Sequence, residues 1–253
     1  MKTQLFALAV CWIAPLAWSQ QAIESPAEPA KVEAAKPAEQ QIEGWGKAMD
    51  LDGDCQFSLK SGRLMITVPG SAQPHDLSAE LDSTNAPCVQ RHVAGEFMIT
   101  VKVEGEFTPG VVSTQPGRTG YNGAGLLLIS DTRNYVRLER AALQTEDEPV
   151  PYTNFEIRLD GKLLRVGRTN DRPIKAGQPV WLRLARSGPS IRGWVSDDGE
   201  QWDELPAKEV PPEWCNELNV GVAAISTSTG PFTPSFSGLK LEVPAAPKGE
   251  KEK

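Results

Sequence analysis

Histidine and cysteine are scarce in this chain, with two histidines and four cysteines among 253 residues. So few soft donors argue against a multi-cysteine zinc cluster, and no metal centre or cofactor is expected. Basic residues are outnumbered, 26 against 33 acidic ones, for a net charge of -7. An acidic surface repels phosphate backbones, which excludes a general nucleic-acid binder. Phosphate-cradling glycine loops, the Gly-x-Ser-x-Gly elbow and His-Glu-x-x-His are all missing. Beyond Trp18 there is no long apolar run, so no membrane span is expected. Hydrophobic residues at 40% and charged residues at 23% are those of an ordinary globular chain.

The ends differ from the middle. Lys2, the apolar run Leu5–Trp18 and the small residues Ala17 and Ser19 form a secretory signal peptide over residues 1–19. A lipoprotein reading at Leu8-Ala9-Val10-Cys11 is disfavoured, because Val10 stands where a small residue is wanted. Residues 20–42 are rich in Ala, Pro, Glu and Lys and contain no aromatic, which predicts a disordered, semi-stiff tether. Residues 244–253 read as a charged tail. The folded unit is then 43–243, in a secreted or periplasmic protein. Removing the signal leaves Cys55, Cys88 and Cys215, an odd number, so at least one is not paired within the chain. A Cys55–Cys88 bridge and small buried thiols both remain open.

Between residues 43 and 243 the pattern is short strands and turns, with no amphipathic helix. Phe97, Ile99, Val101 and Val103 alternate with polar residues, and Asn154–Leu159 places Phe155, Ile157 and Leu159 on one face. Gly125–Ile129 is a continuous apolar run, expected to be covered on both sides. Asp160-Gly161 and Asp198-Gly199 are hairpin turns. Strands at this spacing predict a β-sandwich or barrel, an all-β fold. The tryptophans Trp45, Trp181, Trp194, Trp202 and Trp214 are mostly expected in its core.

Gly123-Ala124-Gly125-Leu126-Leu127-Leu128 followed by Asn134-Tyr135-Val136-Arg137-Leu138 resembles the middle of a bacterial concanavalin A-like domain. Trp181–Leu184, Ser196–Trp202 and Val220–Ala224 continue the likeness in the same order. The group resembled is the "regulation of enolase" domain-of-unknown-function family of the concanavalin A-like lectin and glucanase superfamily. The resemblance implies a jelly-roll β-sandwich of two curved antiparallel sheets. It implies no settled activity, since that superfamily holds lectins, hydrolases and silent modules.

The superfamily's hydrolases carry alternating carboxylates on one strand. The nearest match, Glu80-Leu81-Asp82-Ser83-Thr84-Asn85, lacks the third acid and is set among turn formers, so no catalytic residue is assigned. Asp50-Leu51-Asp52-Gly53-Asp54 opens like a calcium loop, but Cys55 and Ser61 stand where glycine and glutamate are needed. It reads as a solvated acidic turn.

The stronger lead is a polar sheet face. Alternation places Tyr135, Arg137 and Glu139 together, and likewise Glu156 and Arg158. On a concave sheet these residues form a charged groove with an aromatic rim, suited to sugar hydroxyls and sugar C–H faces. Loops carrying His75, Asp76, Asn85, Tyr121 and Asn122 are expected to complete it, with Asp76 beside His75. The leading function is thus a non-catalytic module for carbohydrate or another extracellular ligand. A glycoside hydrolase or lyase using Glu139 with His75 or Glu156 is one alternative. A structural or protein-interaction domain of the cell envelope is another.

Overall fold

Alternating apolar residues become the facing sides of two antiparallel sheets. The computed structural model describes residues 40–168, 172–210 and 217–244, all within the unit Lys36–Lys253. The signal peptide, most of the tether, Cys215, Trp214 and the tail beyond residue 244 lie outside the described residues. Strands are numbered in chain order. The first sheet runs β1 (Gln40–Ile42), β2 (Gly46–Met49), β7 (Cys88–Ala94), β16 (Glu217–Ser226), β9 (Tyr121–Asp131), β10 (Asn134–Gln144), β11 (Pro149–Leu159) and β12 (Lys162–Arg165). The second runs β15 (Asp203–Glu209), β14 (Ser190–Ser196), β13 (Val180–Ser187), β8 (Phe97–Glu104), β17 (Ser235–Glu242), β4 (Arg63–Thr67) and β3 (Gln56–Lys60). Together they form a jelly-roll sandwich. Among the described residues there is no α-helix, hence none long and apolar enough to cross a membrane.

Leu126, Leu128, Val136, Leu138, Phe155 and Ile157 of the first sheet share one core with Ile99, Val101, Leu182, Leu184 and Phe236 of the second. Each such side chain contributes roughly 1.5–3 kcal/mol on burial. The Asp160-Gly161 turn has φ of 51° and 72°, the left-handed pair that a two-residue hairpin requires.

Two expectations are corrected, and the open question of the cysteines is answered. Gln40–Ile42, assigned to the tether by composition, pairs with Gly46–Ala48 as an edge strand, because Ile42 and Trp45 are buried in the core. Only Trp45 of the tryptophans named above is a core residue among those described. Trp181 and Trp194 alternate with Leu182 and Val195 and so stay half-buried on the outer face of the second sheet, where Trp202 lies beneath Arg183 at 3.8 Å. Cys55 and Cys88 are both free thiols, Cys88 buried and Cys55 half-buried.

The apolar run at β9 is covered on both sides, but its outer cover is not a sheet. The strap from His75 to Cys88 crosses that face, and Leu77, Ala86 and Cys88 cluster with Leu127, Tyr135, Ala223 and Ile225. The strap contains β5 (Leu77–Ser78), a 3-10 turn at Ala79–Leu81 and β6 (Ser83–Thr84). Reciprocal N–H···O bonds of 2.9 Å between His75 and Ser226 anchor its start. The strap is what turns a flat sheet face into a site.

Candidate functional site

The β10–β11 register sets Tyr135 opposite Arg158, Arg137 opposite Glu156, and Glu139 opposite Asn154. All six side chains belong to the outer face, opposite Val136, Leu138, Phe155 and Ile157. On β9, Gly125 lies opposite Glu139, and Tyr121 is four and two residues before Gly125 and Gly123 in the same outward row. A Cβ on Gly123 would stand 2.8 Å from the Tyr121 ring, and one on Gly125 would strike the Leu138 carbonyl. The two glycines thus leave a flat shelf over which the Tyr121 ring folds toward Glu139.

Arg137 is the hub. Its Nε and Nη2 donate to Glu156 Oε2 at 3.1 and 2.6 Å. Nη1 lies 3.7 Å from Asp76 Oδ1, and Nε lies 3.8 Å from Glu139 Oε2. Arg158 Nε donates to the other Glu156 oxygen at 2.6 Å, and its Nη2 pairs with Glu80 on the strap. Glu139 Oε2 accepts from Tyr121 Oη at 2.8 Å and from Asn154 Nδ2 at 3.0 Å. Tyr135 is fully buried; its hydroxyl donates to the Leu77 carbonyl at 3.0 Å and accepts the Ala79 N–H at 3.3 Å, pinning the strap.

Burial governs the protonation chemistry. It works against the Arg137 charge, but Glu139 and Glu156 together outweigh it and hold the guanidinium well above its ordinary value. Burial raises the Glu156 carboxyl, and Arg137 offsets only part of the rise. Burial and then the Glu139 charge push the Tyr121 hydroxyl well up. Tyr121 is therefore a neutral hydrogen-bond donor at ordinary pH.

Beside this network opens a pocket of about 290 Å³, bounded by Asp76, Ser78 and Glu80 of the strap, Gln115 and Arg118 of a loop, and Tyr121 and Arg137 of the sheet. Gln115 Nε2 donates to Asp76 Oδ2 at 2.6 Å, tying loop to strap. Two buried atoms, Arg137 Nη1 and Glu139 Oε1, have no hydrogen-bond partner among the described residues. Leaving such atoms unpaired costs about 1–3 kcal/mol each, so a donor and an acceptor are available to a polar molecule that reaches them.

Seven of the residues named from sequence therefore converge: Asp76, Tyr121, Tyr135, Arg137, Glu139, Glu156 and Arg158. Three do not. His75 is adjacent to Asp76 in an extended segment and points the other way, its Nε2 2.8 Å from Asp54 Oδ1. Asp54, rather than Asp76, is the carboxylate at its ring, and His75 is removed as a partner for Glu139. Asn85 braces the strap, donating to Asp52 at 2.6 Å and to the Pro74 carbonyl at 2.8 Å while accepting the Asp76 N–H at 3.0 Å. Asn122 falls on the core-facing side of β9 and donates to Ser226 Oγ at 3.0 Å. Asn154 was missed, although it precedes Glu156 by two in the same outward row. Glu80 stood out only in the rejected carboxylate pattern, and Gln115 and Arg118 carried no local signal, since only the folded loops bring them in.

No family model and no curated protein sequence matches the chain. Solved structures do. A functionally unknown protein from Saccharomyces cerevisiae aligns at 15% identity and a TM-score of 0.57, over 76% of this chain and 93% of that one. A xylan beta-1,4-xylosidase from Bacillus halodurans C-125 aligns at 16% identity and a TM-score of 0.54, over 85% of this chain and 41% of that one. The GH43 BlXynB protein from Bacillus licheniformis aligns at 16% identity and a TM-score of 0.52, over 74% of this chain and 34% of that one. The chain spans well under two thirds of either Bacillus protein. At such identities the likeness is one of fold.

Proposed function

We propose that this chain is an exported, non-catalytic module that binds carbohydrate in the pocket beside Arg137. The observation that carries the reading is Arg137 Nη1, buried and without a hydrogen-bond partner among the described residues, at a pocket walled by the Tyr121 ring, with Glu139 Oε1 of the same network likewise lacking one. A sugar presents what such a site lacks: hydroxyls that both accept and donate, and apolar C–H faces for an aromatic ring. The fold likeness to a protein described as a xylan beta-1,4-xylosidase agrees with a sugar ligand, as does the resemblance to concanavalin A-like domains, but the pocket bears the argument. The signal-like N-terminus supports export.

Hydrolysis is the weaker reading. It needs one carboxyl to protonate the leaving oxygen and a second, open to the substrate, to act as nucleophile or base. Glu156 is enclosed by Arg137 and Arg158, and Glu139 is engaged by Tyr121 and Asn154. Both carboxylates serve to orient and charge Arg137. A glycan-array screen of the exported chain tests the reading, with Arg137→Ala alongside. Specific binding lost in the variant supports it, and a well-folded protein silent across the array overturns it.

A further inference from the structure

The segment Asp50–Cys55 is a closed turn and not a loose acidic stretch. Asp50 accepts the backbone N–H of Gly53 at 3.1 Å and of Cys55 at 2.8 Å, and Gly53 takes the positive φ of 73° that the turn requires. The turn presents Asp52, Asp54 and Cys55 to the imidazole of His75, which is only 1% exposed. His75 Nε2 lies 2.8 Å from Asp54 Oδ1 and 3.7 Å from Asp52 Oδ2, and Cys55 Sγ lies 3.5 Å from Asp54 Oδ1. The donor atoms of Asp54, Cys55 and His75 all fall within 4.8 Å of one another.

From this arrangement we infer that Asp54, Cys55 and His75 form a binding site for a divalent transition-metal ion of the zinc class, with Asp52, 3.7 Å from His75, near enough to swing in as a fourth ligand. The donor set decides the class. One imidazole nitrogen and one sulfur disfavour calcium and magnesium, which take oxygen, and suit zinc or cobalt. A tetrahedral ion with bonds of about 2.0–2.3 Å holds its ligand atoms roughly 3.3–3.6 Å apart, so Asp54, Cys55 and His75 need shifts of little more than about an ångström, and Asp52 needs a larger swing. The carboxylates of Asp54 and Asp52 both face the His75 imidazole, at 2.8 and 3.7 Å. A divalent ion supplies the charge that lets the cluster hold two carboxylates and a thiolate.

The ligands are also braced from behind, as metal ligands are. Asn85 donates to Asp52 at 2.6 Å, Asp50 holds the Cys55 backbone, and Ser226 holds that of His75 on both sides. Asn85 in turn accepts the N–H of Asp76, which lines the pocket. The ion would therefore clamp the 50–55 turn to the start of the strap. This assignment stands whether or not the pocket binds sugar.

The test uses the full chain, stripped of metal, and ions alone. Calorimetry with Zn²⁺ should give one ion per chain, and Co²⁺ should produce sulfur-to-cobalt charge-transfer absorption. Zn²⁺ should slow alkylation of Cys55, read on its own peptide by mass spectrometry, at least about tenfold, and Ca²⁺ or Mg²⁺ should not. Because His75 is buried, the deciding variants are Asp54→Asn, at an exposed position of the turn, and Cys55→Ser, at a half-buried one where the change is nearly isosteric. Each should keep the metal-free melting temperature and weaken Zn²⁺ binding at least about tenfold. Zn²⁺ binding of equal strength in both variants, or no Co²⁺ absorption and no protection of Cys55, would overturn the assignment.

Discussion

The Tyr121 hydroxyl donates to Glu139 Oε2 at 2.8 Å, across two strands and over a glycine shelf. That bond sets the orientation of the aromatic wall and leaves Glu139 Oε1 without a hydrogen-bond partner among the described residues. Tyr121→Phe should therefore cost about 1.5–3 kcal/mol of stability, the range for hydrogen bonds to charged groups. Urea unfolding checks this, with an unchanged slope identifying a native-state effect. A loss below about 0.5 kcal/mol would mean that the carboxylate finds another donor.

Gly123→Ala tests the shelf itself. The added methyl meets the Tyr121 ring at 2.8 Å, so ring or strand must shift. Overpacking of this kind costs about 1–3 kcal/mol, and ligand affinity should fall with it because the wall moves. Unchanged binding would place the ligand elsewhere.

Glu156 makes stability depend on pH. Burial raises its folded pKa above the ordinary 4.5, so its contribution is fully present below that value and is lost as pH rises through the raised one. The melting temperature should fall over that interval. Glu156→Gln should flatten this leg while lowering the whole curve, since Arg137 and Arg158 lose their shared carboxylate. A pH profile with the same slope in variant and parent would contradict the assignment.

Arg140 is a charge in the core. It is 1% exposed, packs 3.9 Å above the Phe107 ring, and leaves Nε and Nη1 without a partner among the described residues. Burial alone pushes it down to about 10. Arg140→Met should be neutral or stabilise the fold by about 1–4 kcal/mol in chemical denaturation. A loss of more than about 2 kcal/mol would show that the guanidinium is held by an acceptor.

Strand alternation made much of this legible. It separated Tyr135, Arg137 and Glu139 from Val136 and Leu138, and Glu156 and Arg158 from Phe155 and Ile157, because a period of two fixes the face whatever the tertiary context. Loops obey no such rule. His75 and Asp76 are neighbours in sequence yet serve different clusters, and Asn85 braces where it was expected to bind. Parity also settles what a loop reading of Asn122 and side-chain size for the tryptophans do not: Asn122 is one residue from Tyr121 and so faces the core, and Trp181 and Trp194 alternate outward. Gln115 and Arg118 reach the pocket only through the fold of their loop.

The most direct test is calorimetric titration of the strongest glycan from an array into the parent chain, Arg137→Ala and Trp194→Ala. Trp194 lies on the second sheet, away from the pocket, and serves as the aromatic control. Loss of at least about tenfold in affinity in Arg137→Ala, worth about 1.4 kcal/mol, with Trp194→Ala unchanged, is the predicted result. Binding that survives Arg137→Ala and fails in Trp194→Ala would move the site to the opposite face and contradict the account.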